Sequence, residues 1–235
     1  MFATGRISQS SAFAEGFIRP ELRASVHDMD LSRIGVDKIE FRTKVSSAEI
    51  DQIRQLHAEW LPVDYNDEFF LALTNPESDV LSVIACLSDK PHSIIGMATV
   101  AVRRRERRYN FQCDLLPHLG LDSEKDSVAY ILTFGIVDEL RRAGFASALL
   151  KETMKRISES DPDCRVVFLH VIDYNEPAMR LYQKNGFVEF KEEPNFYLLG
   201  DTWYSGIMFY QAVRPANSWM NRWLQKVIPT QNNSS

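Results

Sequence analysis

The sequence predicts one mixed α/β domain, with a central sheet flanked by helices and a tail at each end. From Ile39 onward, apolar runs with strand character alternate with amphipathic helical segments. The longest strand signal, Tyr130–Val137, leads through a glycine-containing turn into a helix. Internal repeats and Gly/Ser linkers are absent from the sequence, and 235 residues with 45% hydrophobic content can enclose a substantial core.

The composition excludes several classes of protein. Lys and Arg number 27 against 32 Asp and Glu, and the net charge of −5 is no global signature of nucleic-acid binding. The sequence has no long uncharged apolar run of the kind that spans a membrane. Cys86, Cys113 and Cys164 are odd in number and widely spaced, so we expect a reducing compartment, with no disulfide framework and no metal site.

The first half of the domain alternates strand and helix signals. Ile39–Arg42 has the pattern of a half-buried strand, and a capping box of Ser46 and Glu49 starts a helix that Pro62 ends. The further elements expected are a short helix near Asp67–Leu73, strands Val80–Leu87 and Ile94–Val102 joined by a polar turn at Asp89–Pro91, and an irregular insertion over Arg103–Asp126.

The segment Tyr130–Ala146 carries the first chemical signal. A strand, a glycine-containing turn and a helix start leave backbone N–H groups unpaired, and their dipoles favour a phosphate or pyrophosphate there. Gly144 would let such a ligand approach the backbone, and Arg141 and Arg142 add positive charge. Many turns of this kind carry a glycine for tight packing alone, and that alternative stays open at this point.

The second half supplies a matching pattern. The apolar run Val166–Val171 is interrupted by His170 alone. Asn175 then reads as a helix N-cap with Pro177 in the first turn, and Asn185–Gly186 is a typical helix end before a further strand.

Together these segments resemble a known family. The pattern R-x-x-G-x-A followed by N-x-x-A-x-x-x-Y-x-x-x-G-F is similar to the acetyl-CoA motif of the GCN5-related N-acetyltransferases, the GNAT superfamily. Within it, four segments resemble N-terminal acetyltransferases of the NatF and NatE branches, NatF above all: Ala129–Gly135, Phe168–Val171, Leu61–Tyr65 and Phe196–Tyr197. The resemblance covers about residues 38–213.

The resemblance implies a fold and its limits. We expect a single GNAT acyl-CoA N-acyltransferase fold, whose mixed central sheet is splayed at the acetyl-CoA site. The domain would span 37–213, after a flexible N-terminal tail at 1–36 and before an amphipathic C-terminal helix and tail at 214–235.

The resemblance also implies an activity, the transfer of acetyl from acetyl-CoA to the N-terminal amine of proteins. An α-amino group with a pKa of about 7.7–8.0 must lose a proton before it can attack. Tyr130 and His170 would accept that proton through ordered water, in surroundings that the sequence makes apolar. The competing interpretation is that both are core residues of two strands.

The resemblance assigns further residues to binding. Those expected at acetyl-CoA are Phe134, Gly135, Ile136, Arg141, Arg142, Ala143, Gly144, Phe145, Ala146, Ser147, Asn175, Tyr182, Gln183, Lys184 and Asn185. Those expected at the peptide are Leu61, Asp64, Tyr65, Leu132 and Tyr197. The implied substrate is a retained Met followed by Lys or a hydrophobic residue, on proteins that include membrane proteins, and no metal is expected. Tyr182 could equally be part of a helix's buried face, and the loop aromatics could serve packing alone.

Two alternatives to this activity stay open from the sequence. One is an acetyltransferase for internal lysines, such as those of histones, or for small amines. The other is a catalytically silent acetyl-CoA-binding module.

Two charged or amphipathic segments invite partners. Arg103–Arg108 holds five arginines. They fit either a solvated hairpin or a surface that contacts anionic lipid or the ribosome. Because no aromatic residues lie between the arginines, the segment does not indicate sequence-specific nucleic-acid binding. Trp219, Trp223 and Leu224 lie on one helical face of 214–235, which suits either an interfacial membrane helix or a helix that closes over the core. The resemblance implies a cytosolic protein, peripheral on the cytosolic face of Golgi or another membrane.

Overall fold

A computed structural model describes residues 7–8, 34–63, 65–103, 112–121 and 126–213. The predictions for Asp64, for Arg104–Arg108 and for the C-terminal helix lie outside these residues, as does most of the predicted N-terminal tail.

The described residues form an eight-stranded mixed sheet flanked by helices, which confirms the predicted fold class. The strands are β1 (Ile7–Ser8), β2 (Ile39–Arg42), β3 (Val80–Leu87), β4 (Lys90–Arg103), β5 (Ser127–Ile136), β6 (Cys164–Ile172), β7 (Val188–Leu199) and β8 (Thr202–Ala212). Their order in the sheet is β1-β7-β8-β6-β5-β4-β3-β2. The α-helices are α1 (Ile50–Trp60), α2 (Asp67–Thr74), α3 (Gln112–His118), α4 (Phe145–Ser160) and α5 (Glu176–Lys184).

The start of the domain follows the local signals. Strand β2 has the predicted bounds, and the capping box is complete, since the Glu49 carboxylate accepts from the Ser46 N–H at 2.9 Å while the Ser46 side chain accepts from Ala48 N–H. Arg42 pairs with Glu49 at 2.5 Å and ties the helix start to the strand. Helix α1 ends at Trp60, two residues before Pro62.

Strand β4 is longer than the sequence suggested. It begins at Lys90 rather than Ile94, so the turn shrinks to Ser88–Asp89 and Pro91 lies inside the strand. Pro91 is tolerated because the pairing with β3 is irregular between Lys90 and Ile94, where the missing N–H is not needed for a regular ladder.

The prediction of a wholly irregular insertion before β5 is wrong. Helix α3 forms within it, and Leu115, Leu116 and Leu119 pack in one cluster with Tyr130 of β5. Their spacing is helical, but the segment is short and charged residues precede it, so its apolar face was not evident as a helix.

Strands β5 and β6 run parallel and then separate. Their pairing covers Ser127–Tyr130 against Cys164–Phe168 and goes no further among residues 126–213, although both strands continue. A bulge at Leu132 also shifts the register between β5 and β4. The predicted splay of the sheet is therefore present, and it opens just beyond Tyr130.

The two faces of β5 beyond the bulge are covered differently. Thr133 and Gly135 face helix α1, and a side chain at Gly135 would collide with the Trp60 ring. Phe134 and Ile136 face the other way, where Phe134 contacts Tyr182 of α5. The gap between β5 and β6 is thus walled by α1 on one face and by α5 on the other.

The edge of the sheet includes part of the predicted tail. Ile7–Ser8 pair in parallel with Tyr197–Leu198 of β7. Over the described ranges, no helix is long and apolar enough to cross a membrane.

Candidate active site

Tyr130 and His170 meet where β5 and β6 begin to diverge. The Tyr130 hydroxyl lies 3.2 Å from His170 Nδ1. The Tyr130 ring stacks on Phe168 with centroids 4.8 Å apart, and the His170 ring stacks on Phe196 at 4.1 Å. The His170 side chain is 0% exposed, so the pair is held rigidly between aromatic rings.

The surroundings of His170 are less apolar than its own strand predicts. Glu193 of β7 places a carboxylate oxygen 3.7 Å from His170 Nε2, and Lys191 lies 3.1 Å from the same carboxylate. Burial lowers the pKa of His170 below its usual value, with a smaller contribution from Lys191, while Glu193 opposes the shift. At neutral pH the imidazole is therefore neutral and able to accept a proton.

A single cavity joins the pair to residues predicted for both substrates. Its lining includes the predicted residues Leu61, Tyr65, Tyr130, Leu132, Phe134, His170, Asn175, Tyr182 and Tyr197. It also includes Trp60, Val63 and Ile172, which the sequence did not single out. Trp60 directly precedes Leu61–Tyr65, the segment that resembles NatF and holds three of the residues predicted for the peptide, and that position is the one sequence signal for it.

Aromatic side chains form one end of the cavity, where a peptide was predicted. The Tyr65 hydroxyl donates to the main-chain carbonyl of Leu132 at 3.4 Å, and its ring packs on Phe69 at 4.5 Å. Tyr197 reaches the same region from β7. Burial raises the pKa of both Tyr65 and Tyr197 above the usual tyrosine value, so both hydroxyls stay neutral donors.

A buried histidine, His57 of helix α1, supports strand β5 at the peptide end of the cavity through hydrogen bonds. His57 Nδ1 lies 2.9 Å from the carbonyl of Ile53, and Nε2 lies 3.1 Å from Thr133 Oγ1, which in turn lies 2.7 Å from Thr99 Oγ1. Burial lowers the pKa of His57 to about 4. No local sequence pattern predicts this series of hydrogen bonds, because a lone histidine on a helix shows no partner 76 residues away.

Strand β5 offers backbone groups at the other end of the gap. Val137 N–H donates to Ile95 of β4 at 2.9 Å. Because alternate residues of an antiparallel strand bond to the same neighbour, Gly135 also faces β4. Phe134 and Ile136 therefore direct their N–H groups toward the gap, and Gly135, predicted to donate there, does not.

The turn before α4 has the geometry of an anion cradle. Gly144 has φ 90° and Arg142 has φ 64°, and a side chain at Gly144 would meet nothing within 4 Å. The helix that follows has 16 residues and no acid in its first turn. Arg141, although exposed, is paired with Asp138 at 2.6 Å. Phe145 is 1% exposed, so only its N–H, and not its side chain, can serve a ligand.

Helix α5 closes this end of the site. The Asn175 side chain accepts from Ala178 N–H as the predicted N-cap, and Asn185 Nδ2 donates to Ser147 Oγ of α4 at 3.1 Å. Tyr182 is 6% exposed and packs among Phe134, Phe187 and Phe209, so it is a core residue whose edge lines the cavity. Gln183 and Lys184 are exposed.

These features fit acetyl-CoA. A diphosphate is accommodated by the open space at Gly144 and by the positive end of helix α4, which starts after it, and a narrow acyl chain by the gap beside Phe134 and Ile136. Ala143, Ala146 and Ser147 complete the turn and first helical residues in the predicted positions. Across the described part of the chain, no three His, Cys, Asp or Glu side chains are placed to hold a metal ion.

The fold and the position of this site are those of the GNAT class of α/β domains. The family model for the acetyltransferase (GNAT) family matches residues 50–187, which is more than half of the chain. The chain belongs to this family.

Individual relatives narrow the comparison. The chain is 30% identical over 150 residues to N-alpha-acetyltransferase 60 of Xenopus tropicalis, and 28% identical over 194 residues to the histone acetyltransferase MCC1 of Arabidopsis thaliana. The matches cover 63% and 80% of this chain and 60% and 76% of the two relatives, so the chain spans about three fifths of the length of the first.

A solved structure agrees with the sequence relatives. The crystal structure of Arabidopsis thaliana NAA60 with a bisubstrate analogue superposes with a TM-score of 0.64 at 30% identity, covering 74% of this chain and 97% of that one. The same protein was also solved in complex with acetyl-CoA.

Proposed function

We propose that this chain transfers the acetyl group of acetyl-CoA to the α-amino group of protein N-termini. The observation that carries this is the Tyr130–His170 pair, which shares one cavity with Tyr65 and Tyr197 on the peptide side and with residues predicted for acetyl-CoA, namely Phe134, Asn175 and Tyr182. The proposal is supported by relatives named as N-alpha-acetyltransferases and by the complexes of NAA60 with acetyl-CoA and with a bisubstrate analogue.

The pair can remove a proton from the incoming amine. Such an amine is mostly protonated at neutral pH, with a pKa of about 7.7–8.0. His170 is neutral there because burial lowers its pKa, and its Nδ1 is within hydrogen-bond reach of Tyr130 Oη. A proton received at this pair, directly or through a water, leaves the amine free to attack.

Other groups hold the two substrates in line. Acetyl-CoA would supply an activated thioester, whose carbonyl the Phe134 and Ile136 N–H groups are oriented to polarise. The turn at Gly144 would hold the diphosphate, and Tyr65 and Tyr197 would flank the peptide backbone. Much of the rate acceleration would come from this positioning.

The finer substrate preference rests on the walls of the peptide end. Leu61 and Leu132 line it and would contact the first side chain, which suits a retained Met. A following Lys or hydrophobic residue, including on membrane proteins, is the preference that the NatF resemblance implies.

Lysine acetylation is the second candidate. It is favoured by the match to the Arabidopsis histone acetyltransferase MCC1, which covers 80% of this chain. A lysine side chain could reach the same pair, since the cofactor end and the base are shared by both reactions.

A peptide panel with acetyl-CoA separates these functions. It would hold free Met-Lys, Met-Val, Met-Leu, Ser and acidic N-termini, and an N-blocked lysine peptide. We expect acetylation of free Met N-termini. Transfer only to the blocked peptide would reassign the enzyme to lysines. Silence with acetyl-CoA bound would contradict the N-terminal activity and favour the binding module.

A cytosolic site with peripheral membrane contact remains part of the proposal. It is supported by the sequence spacing of Trp219, Trp223 and Leu224, which predicts an apolar helical face, and by the absence of acids after Asp201. Removal of residues 215–235 should release the protein from anionic vesicles without ending catalysis, and unchanged partitioning would contradict the membrane contact.

A further inference from the structure

Glu193 and Phe196 reach His170 from a strand that is not its neighbour. Strand β8 lies between β6 and β7, with Met208 opposite His170. The side chains on β7 therefore have to cross β8 to touch the imidazole.

A local irregularity of β7 makes this crossing possible. The register with β8 shifts between Glu193 and Tyr197, and Asn195 adopts a left-handed φ of 53°. Phe196 then lies so close to Gly206 of β8 that an added Cβ would be 2.8 Å from its ring. The backbone of β7 is thus bent to aim Phe196 and Glu193 across Gly206 at His170.

The result is a line of three polar groups. Tyr130 Oη lies 3.2 Å from His170 Nδ1 on one side, and Glu193 Oε2 lies 3.7 Å from Nε2 on the other. The Glu193 side chain is 19% exposed, so solvent screens its charge only in part.

We infer that Glu193 is a positioning residue for His170 in the acetyl transfer proposed above. Its carboxylate favours the tautomer that carries hydrogen on Nε2, which leaves Nδ1 as an acceptor for the Tyr130 hydroxyl. It also stabilises the imidazolium that forms when the substrate proton arrives. This inference rests on the proposed function.

The orientation fixes the route of the proton. Tyr130 donates its hydroxyl hydrogen to Nδ1, so the lone pairs of Tyr130 Oη face the cavity. A proton leaving the amine bonds to Tyr130 Oη while the hydroxyl proton passes to Nδ1. The products are a neutral amine, an intact Tyr130 and a His170 cation beside the Glu193 anion, so that charge and atoms balance.

Lys191 weakens the stabilisation of the His170 cation by Glu193. Its ammonium pairs with the Glu193 carboxylate at 3.1 Å, and so opposes protonation of His170. Among the described residues, the charged or titratable groups that act on His170 include Tyr130 from β5 and Glu193 and Lys191 from β7. Removing the anion and removing the cation should have opposite effects on the same histidine.

The test compares Glu193→Gln with Glu192→Gln, in kcat, KM and pH profile. Both substitutions remove one carboxylate from β7, but Glu192 is exposed. We expect Glu193→Gln to lower kcat about tenfold, in line with the low end of what loss of an orienting carboxylate costs at metal-bound histidines. The acidic limb of the profile should move to lower pH, with both KM values kept. Lys191→Gln should move that limb to higher pH, and Glu193→Asp should restore part of kcat.

A measurement that needs no activity separates this inference from the proposed function. The imidazole signal of His170, assigned by its loss in His170→Asn, would be titrated by NMR. Glu193→Gln should lower its pKa and Glu192→Gln should not. If the wild-type protein acetylates no peptide, the proposed function fails while this titration still reports the coupling. Equal pKa values and equal profiles in the two glutamine variants would overturn the role of Glu193.

Discussion

The two proposed substrates, acetyl-CoA and a peptide, would be recognised by different kinds of group. At the cofactor end, by which we mean the edge of β5 that faces the gap together with the turn at Gly144 beyond the cavity, the groups available are mainly backbone N–H groups. At the peptide end they are side chains, Tyr65, Leu132 and Tyr197, brought together from a loop and two strands.

This difference has a physical consequence. Backbone recognition depends on φ and on the absence of a side chain, so one substitution at a glycine can remove it entirely. Recognition by several side chains is distributed, and each contact contributes a small part of the binding free energy. Damage at the cofactor end should therefore be severe, and damage at the peptide end graded.

Gly144→Asp should produce the largest effect. The new carboxylate would project into the open space at the start of α4, against the diphosphate, and φ 90° would be strained for any residue but glycine. We expect acetyl-CoA affinity to fall by more than about 100-fold, as two repelling charges imply, measured by calorimetry.

Gly200→Asp is the matched control for that prediction. Gly200 also has a positive φ, 57°, with open space around its missing side chain, but it lies in the β7–β8 hairpin. It should bind acetyl-CoA normally. Equal affinity in the two aspartate variants would show that the turn at Gly144 does not hold the cofactor.

Tyr130→Phe tests the junction of the two ends. The ring keeps its stacking on Phe168, and the hydroxyl that lies 3.2 Å from His170 is lost. We expect kcat to fall roughly 100-fold, within the range for a general acid–base group, in a peptide acetylation assay. Affinity for acetyl-CoA and the melting temperature should stay near wild type, and normal turnover would place the base elsewhere.

The sequence predicted the fold where its signals are local. The capping box at Ser46, the N-cap at Asn175 and the helix end at Asn185–Gly186 each lie within a few residues of the structure they specify. Helix α3 was missed because its stability comes from packing Leu115 and Leu119 on β5, a contact that is distant in sequence.

The candidate site also divides into features that local sequence predicts and features that depend on distant contacts. The turn at Gly144 could be predicted from local sequence as a glycine turn before a helix, whereas its assignment to an anion and the pairing of Tyr130 with His170 needed the family resemblance. Glu193 and His57 were not found at all. Each contacts a partner on another element: Glu193 contacts His170, which the irregularity of β7 allows, and His57 contacts Thr133. No local sequence pattern encodes such a contact.

Burial of His57 should make the free energy of unfolding decrease at acidic pH. Its pKa is about 4 in the folded protein against an ordinary 6.5, so below pH 6.5 the unfolded chain binds a proton that the folded chain does not. Stability is therefore lost as pH falls from 6.5 toward 4. Between pH 7 and 5 this group should cost about 2 kcal/mol of unfolding free energy.

His57→Phe should reduce that loss. Urea unfolding at pH 7 and pH 5 would show a smaller decline in the variant, because phenylalanine does not titrate and Thr133 keeps Thr99 as a partner. His92→Phe is the control, since the His92 side chain is 93% exposed and its decline should match wild type. An unchanged decline in His57→Phe would contradict the role of burial.

Tyr65→Phe should give the smallest effect and the sharpest contrast between the two ends. The ring and its contact with Phe69 remain, and only the hydroxyl that donates to Leu132 at 3.4 Å is lost. We expect this hydroxyl, which lines the cavity, to bond the peptide backbone in the complex. One neutral hydrogen bond contributes about 1 kcal/mol, so the KM for the peptide should rise about fivefold while the KM for acetyl-CoA stays unchanged. Tyr174→Phe, at a tyrosine that is 55% exposed, should change neither. If Tyr65→Phe raised both KM values equally, the two ends would be one coupled surface rather than two independent ones.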